Sequence, residues 1–358
     1  MVPRLTIIIP LEPSSSKEPK GLSILPMELS IECEVILLDW RTSEDTLKFA
    51  RESFAAHPAT RVLTFADDTR AGRVFNESIR EAKGDFITFM DPNDEPTPRA
   101  VERILGNISQ KNTVDLLLLS ASVGKLDDEC FFLPLYRKNT FNIQAEGSGL
   151  KLMEKLGRSN DFLKCELFLG CYKRSFIMEH KLFVGDDLND LMALEWLPKV
   201  FFHAHHCATL TCTLPNWWDF VKPDTQFRES QQDYLDALPH VILSLAKFFS
   251  DHQGEMTNAA CIAWAETTFH PLLRKVYSHL LPERIYDKKL LQMALAKLWE
   301  NDENTVLLES LSRHLSFTKR FFLALMRRFA KSGSDALPKL WAKLFLRYRP
   351  LHTCENHR

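Results

Sequence analysis

Glu81-Ala-Lys-Gly-Asp-Phe-Ile-Thr-Phe-Met-Asp-Pro-Asn-Asp-Glu-Pro-Thr-Pro98 is the stretch on which the reading of this chain turns. An apolar run from Asp85 to Met90 ends in a cluster of acids and one amide, and Pro92, Pro96 and Pro98 keep the backbone from folding straight back. Short apolar runs closed in this way read as strands of a parallel sheet, buried on both faces. Carboxylate and amide oxygens gathered at a strand end suit a hard divalent cation, because Mg2+ or Mn2+ takes a few oxygen ligands and completes its shell with substrate phosphate. Asp, Asn and Pro are also ordinary turn residues, so the plainer alternative is a polar turn capping a helix that starts near Arg99.

Working outward, residues 4–9, 34–39, 61–65 and 114–121 repeat the apolar-run pattern. Between them, residues 46–56, 73–82, 99–108 and 150–156 carry apolar residues at helical spacing. Strands alternating with helices predict a doubly wound α/β sheet, whose ligands collect beyond the carboxyl ends of the strands. Asp39 and Asp91 both stand at such ends. Pro13 to Lys20 reads as a Ser/Pro-rich loop, the Lys/Arg around Tyr172 as a turn, and Val200 to Thr213 as a further strand. From Ser230 onward the spacing of Tyr234, Leu235, Leu238, Val241, Ile242, Leu245 and Phe248 predicts an all-helical region. The expected division is an α/β domain over 1–215 and a helical domain over 216–358, two units being ordinary for 358 residues.

Hydrophobic residues at 45% and charged residues at 26% exclude a disordered chain and a many-span membrane protein. The run Leu5 to Ile9 is too short for a signal-peptide core, and the cysteines at 33, 130, 165, 171, 207, 212, 261 and 354 contain no Cys-x-x-Cys pair. Reduced thiols in cytosol are therefore expected. The net charge of −2 conceals an asymmetry: from Phe317 on there are ten Lys/Arg against Asp335 and Glu355, net +8, leaving −10 for residues 1–316. Within 317–349, Phe322, Leu325, Met326, Phe329, Leu337, Leu340, Trp341, Leu344, Phe345 and Tyr348 alternate with cations at amphipathic spacing. Such a segment either lies on an anionic membrane surface, giving a peripheral protein on the inner face of the cell membrane, or docks on the protein's own core. Nucleic acid is not an expected partner, because the body is acidic and the cations interleave with large apolar residues. His203, His205 and His206 with Cys207 and Cys212 suggest zinc or completion of a donor metal site. Strand alternation splits them between two faces, so a half-buried strand with polar edges is the preferred reading.

With these residues in hand, the chain resembles glycosyltransferase family two, the inverting GT-A-fold enzymes, over residues 4–215. The resemblance rests on Thr6-Ile-Ile-Ile-Pro10, Glu34 to Asp39, Gly72 with Asn76, the run from Ala82 to Asp91, Cys171-Tyr-Lys-Arg-Ser-Phe-Ile177, Phe183 and Asn189-Asp190. It implies a nucleotide-sugar donor, commonly UDP-linked, held by Pro10, Asp39, Asn76 and Asp91, with Asp39 bonding the base. It implies a divalent cation, Mn2+ or Mg2+, at Asp91, Asn93 and Asp94. It implies a general base, Asp190 with Asp187 in reserve, to take the proton of an acceptor hydroxyl. The chain departs from the family's pattern at Leu11-Glu12 after the first strand, at Trp40 in place of a second nucleotide-contacting Asp, at Phe75 in place of an Arg, and at Asn93 in place of a metal-binding Asp. The expected activity is hexosyl or N-acetylhexosaminyl transfer onto a glycan, a lipid-linked or a protein-linked acceptor, in polysaccharide biosynthesis. The second reading keeps the fold as a nucleotide-sugar-binding or assembly subunit. A nucleotidyltransferase would want a glycine-rich loop after the first strand, and residues 11–20 contain no glycine.

Overall fold

The computed structural model describes residues 2–11, 18–93, 96, 99–110, 113–119, 125–126, 129–130, 147–159, 170–189, 191–210, 231–270, 272 and 288–333, and every structural statement concerns these. The chain forms two compact units, Met1–Tyr234 and Leu235–Arg358. The expected boundary at 215/216 falls in a stretch outside the described residues.

In the first unit the chain runs β1 (Leu5–Pro10), α1 (Lys20–Glu28), β2 (Cys33–Asp39), α2 (Glu44–Ser53), β3 (Thr60–Thr64), α3 (Ala71–Glu81), β4 (Phe86–Phe89), α4 (Ala100–Gln110) and β5 (Leu116–Leu119). There follow the small hairpin β6 (Lys125–Leu126) and β7 (Glu129–Cys130), then α5 (Gly149–Ser159), β8 (Gly170–Lys173), α6 (Arg174–Glu179), α7 (Met192–His203) and β9 (Cys207–Leu210). The main sheet has the order β3-β2-β1-β4-β8-β5-β9. β1 pairs in parallel with β2 and β4, and β8 is antiparallel to both β4 and β5. Leu5, Ile7, Ile8 and Ile9 have no exposed surface, which is why β1 is a continuous apolar run rather than an alternating one. One face of the sheet packs Leu22, Leu25, Ala50, Phe54, Val101 and Ile104 against the strands. Elsewhere Phe75 stacks on Phe89 at 5.0 Å, and Trp196 meets Phe75 at 5.3 Å and Tyr172 at 4.6 Å. Phe75, at a position where the resemblance implied an Arg, is thus a core residue.

Three expectations are corrected. Tyr172 lies in a buried strand, not a turn: Cys171 and Tyr172 pair on both sides, and the following Lys173 and Arg174 concealed so short a run. Val200 to His203 end a helix instead of opening a strand, because Trp196 with Val200 and Leu197 with Phe201 are buried at four-residue spacing. Only Cys207 to Leu210 is strand within that stretch, residues 211–213 lying outside the described residues. Helix α1 was not read at all, since Pro19 and Pro26 resemble loop punctuation. Pro19 instead stands at the helix N-cap, and Leu22 and Leu25 bury one face.

The amino-terminal edge of the sheet is tied by one buried carboxylate. Glu34 on β2, 3% exposed, accepts from Thr6 Oγ1 at 2.7 Å, from the Lys83 amide at 2.8 Å and from Arg61 Nε at 2.9 Å. Thr6 Oγ1 in turn accepts from the Gly84 amide at 2.9 Å, so β1, β2, β3 and the turn before β4 share one polar knot.

The second unit is helical where described, with most of α8 (Gln231–His252), α9 (Asn258–His270), α10 (Lys288–Leu298), α11 (Asp302–Ser312) and α12 (Phe317–Ser332). Its core includes Leu238, Val241, Leu245, Phe249, Trp264 and Phe269, and the Trp264 indole donates to the Leu245 carbonyl at 3.1 Å. Phe322, Met326 and Phe329 are fully buried and Leu325 nearly so. The apolar face of α12 is therefore buried. Its outward side shows Phe317, Arg320, Phe321, Arg328 and Lys331, and Leu337 to Tyr348 lie outside the described residues. Among the described residues, no helix is long and apolar enough to cross a membrane.

Removing Glu34 takes the buried acceptor from Thr6 and the Lys83 amide and leaves the Arg61 guanidinium with Glu81 alone. Glu34→Ala is expected to lower unfolding free energy by about 3 kcal/mol. Urea titration followed by circular dichroism checks this, and an unchanged midpoint would show that the knot is idle.

Candidate functional site

Parallel pairing of β1 with β2 and β4 sends all three strands to the same carboxyl rim. Leu38 pairs with Pro10, the Met90 amide donates to the Ile8 carbonyl, and Asp39 and Asp91 follow directly on the two outer strands. Two strand spacings, about 10 Å, therefore separate the rows that carry these acids. Pro10 stands in the row between them. The Asp39 carboxylate accepts from Thr64 Oγ1 at 3.1 Å, and the Asp39 carbonyl from the Phe65 amide at 2.9 Å.

Trp40, next along the rim, is 6% exposed and turned inward. Its indole donates to the Thr69 carbonyl at 3.1 Å, and the Arg41 guanidinium lies 4.5 Å from the ring centre while Arg41 Nε donates to the Asp67 carbonyl at 2.8 Å. Arg41 adopts a left-handed φ of 54°, a strained backbone that the two side-chain contacts hold in place. Together they tie the loop after β3 to the end of β2.

At the end of β4, Asp91 Oδ1 accepts from the Asn93 amide at 2.8 Å and from Asn93 Nδ2 at 3.0 Å. Asn93 was expected as a metal ligand. Its side-chain nitrogen donates to Asp91 and orients that carboxylate, as a short polar residue readily does in a turn. Asp94 lies outside the described residues. Among the described residues, no group of three His, Cys, Asp or Glu could enclose a metal ion. The donor set fits a cation held by one or two carboxylates and completed by substrate phosphate, the usual Mg2+ arrangement, rather than an all-protein cage.

The third component of the rim is the loop 182–189, which crosses the amino end of α3. Asn76, 1% exposed, donates through Nδ2 to the Val184 carbonyl at 2.9 Å and to Asp186 Oδ1 at 2.6 Å, while its Oδ1 accepts from the Val184 amide at 3.1 Å. Both ends of the amide of Asn76, an expected nucleotide-sugar contact, are engaged by this loop. One turn earlier on the same face, the Gly72 amide donates to the Leu188 carbonyl at 2.7 Å, and a Cβ there would lie 2.0 Å from the Gly185 carbonyl oxygen. Asn189 caps the helix: its Oδ1 accepts from the Ala71 amide at 3.2 Å and its Nδ2 donates to Asp233 at 3.1 Å. The Gly185 amide donates to Glu195 at 3.0 Å, and Trp196 Nε1 to the Leu182 carbonyl at 2.7 Å. This frame presents Asp187 exposed, while Asp190 lies outside the described residues. The anchoring duties of Gly72, Asn76 and Asn189 were missed, although the four-residue spacing of Gly72 and Asn76 already set them on one helix face.

The histidine and cysteine cluster is elsewhere. Asp115 Oδ2 accepts from the His205 and His206 amides at 3.0 Å each, just before β5 and β9. Those strands run parallel to β4, so the cluster sits at the amino edge, across the sheet from Asp91, and cannot complete a donor metal site. His203 belongs to α7 and stacks on His180 at 4.5 Å. Burial, assisted by the Asp115 carboxylate, pushes the Cys207 thiol up to about 12.

The mixed seven-stranded sheet with its flanking helices is a GT-A-type fold. Residues 28–143 match the family model for glycosyl transferase family 2. It is similar in fold to S. aureus TarS 1–349, at 13% identity and a TM-score of 0.65, covering 95% of this chain and 90% of that one. The same S. aureus protein in complex with UDP-GlcNAc gives 0.66 at 13% identity over the same coverage. Against the longer TarS structure the match covers 95% of this chain and 55% of that chain, at 14% identity and a TM-score of 0.64. No curated protein matches the chain in sequence.

A thiol with a pKa four units above the medium is thiolate in about one molecule in ten thousand, and the thiolate is the reactive form. Iodoacetamide at pH 8 should leave Cys207 unmodified in the native protein and label it after unfolding, as peptide mass mapping would read. Native labelling would refute the buried, neutral placement.

Proposed function

We propose that the chain transfers a hexosyl or N-acetylhexosaminyl group, with inversion, from a UDP-sugar to a hydroxyl of a glycan or lipid-linked acceptor. The observation that carries this is the placement of Asp39 and Asp91 at the ends of the two strands that flank β1. A nucleoside diphosphate lying across that rim has its base against Asp39, which accepts a base N–H, and its diphosphate over Asp91. The fold shared with TarS, a protein seen with UDP-GlcNAc, supports a donor of this class.

Asp91, with Asp94, is the residue set that would hold a Mn2+ or Mg2+ ion. Such an ion supplies charge neutralisation to the departing diphosphate. The donated hydrogen bonds from Asn93 keep the Asp91 carboxylate oriented before any ligand arrives. Inversion calls for a carboxylate on the far side of the anomeric carbon to take the acceptor proton, and Asp190, with Asp187 in reserve, is assigned that step.

Asp91→Ala should abolish sugar transfer while the melting temperature stays near that of the unaltered protein. Full activity in that variant would overturn the assignment, and donor binding without turnover in the unaltered protein would favour a binding subunit. Asp39→Ala removes a charge-assisted acceptor of about 2 kcal/mol. Calorimetry should then show UDP affinity weakened roughly tenfold or more, and equal affinity would move the base elsewhere.

A further inference from the structure

We infer that Asn76 is a positioning residue for the transfer step: it sets the height of the acidic loop over the rim and makes no contact with the donor. The inference rests on the assignment of the proton-accepting carboxylate to that loop.

Three observations converge on it. The Asn76 side chain is buried and meets both the amide and the carbonyl of Val184, so it reads the loop backbone as a neighbouring strand would. It also donates to Asp186 at 2.6 Å, one residue before Asp187. Gly72, one helical turn away, leaves no space between α3 and Gly185, so the loop rests directly on helix backbone at one point and on the Asn76 amide at the next. A carboxamide is the group that serves here. It offers a donor to the Val184 carbonyl and to Asp186 together with an acceptor for the Val184 amide.

The device predicts a particular behaviour for Asn76→Asp, which keeps the shape and removes the donors. An ionised carboxylate at 76 would face the Val184 carbonyl and Asp186 with no hydrogen to share, and the loop would lift. Protonation restores one donor. The charged groups bearing on position 76 are Arg73, Glu77 and Arg80 on α3, Asp186 and Asp187 on the loop, and Glu195 on α7 with its partner Lys199 at 2.8 Å. Asp186 is the nearest of those with a distance to Asn76, and two carboxyls in contact retain a proton more readily than one.

The test compares full-length Asn76→Asp with the unaltered protein at each pH from 5.5 to 8.5, reading kcat, KM for a UDP-sugar, and UDP affinity by calorimetry. At the alkaline end kcat should fall by about 100-fold, the scale of an ångström-sized misplacement, with UDP affinity unchanged. The ratio to the unaltered protein should recover as pH falls. Equal kcat at alkaline pH would overturn the inference. A parallel loss of UDP affinity would also overturn it, returning Asn76 to the donor site. Native hydrogen exchange at the Val184 amide provides a readout independent of turnover: faster exchange in Asn76→Asp is expected, and unchanged exchange with an unchanged melting temperature would refute the clamp. If Asp187→Asn and Asp190→Asn both retain full activity while Val184 exchange still responds, the loop is held as described and the base assignment alone fails.

Discussion

Parallel pairing of β1 with β2 on one side and β4 on the other governs everything else in the first unit. Because the three strands point the same way, whatever residue ends each of them lands on one rim, and Asp39 and Asp91 become neighbours across Pro10. Burial on both faces keeps β1 at the centre, since Leu5, Ile7, Ile8 and Ile9 have no exposed surface, and the buried Thr6, bonded to Glu34, fixes its register against β2. The Glu34 knot fixes the other edge of the same strands, locking β1, β2 and β3 to the turn that launches β4.

Around this rim the chain uses polar contacts between loops rather than further strands. Trp40 and Arg41 hold the loop after β3, Asn93 holds Asp91, and Asn76, Asn189 and Gly72 hold the loop before α7. Each contact fixes backbone that would otherwise have to be ordered by the ligand, which is how a site avoids part of the entropic cost of binding. The positions where this chain departs from the pattern of the family it resembles are explained in two cases by the same packing. Trp40 is an anchor for a loop and Phe75 belongs to the core.

Much of the first half of the fold was legible in the residues. Apolar runs at β1, β2 and β4 and helical spacing in α2, α3 and α4 reflect burial of a whole face, a signal that propagates along the element. Four-residue strands such as β8 and β9 carry no period of their own, and their neighbours decide them. That is why Tyr172 read as a turn and Val200 to His203 as strand. The acids at strand ends were legible because position in a parallel sheet follows from strand direction alone. The engagement of Asn76, Asn93 and Asn189 was not, since an amide can face a ligand or a loop and only the three-dimensional neighbour settles which. Proline misled at α1: Pro19 sits at the N-cap, where a helix tolerates it, and Pro26 lies within the last turns.

The most direct test of the central claim is a crystal structure of the full chain soaked with UDP and Mn2+. The rim arrangement predicts the uracil against Asp39 and the diphosphate with its cation over Asp91. Nucleotide density at the opposite edge of the sheet, near Asp115 and Cys207, or no bound nucleotide at saturating concentration, would contradict it.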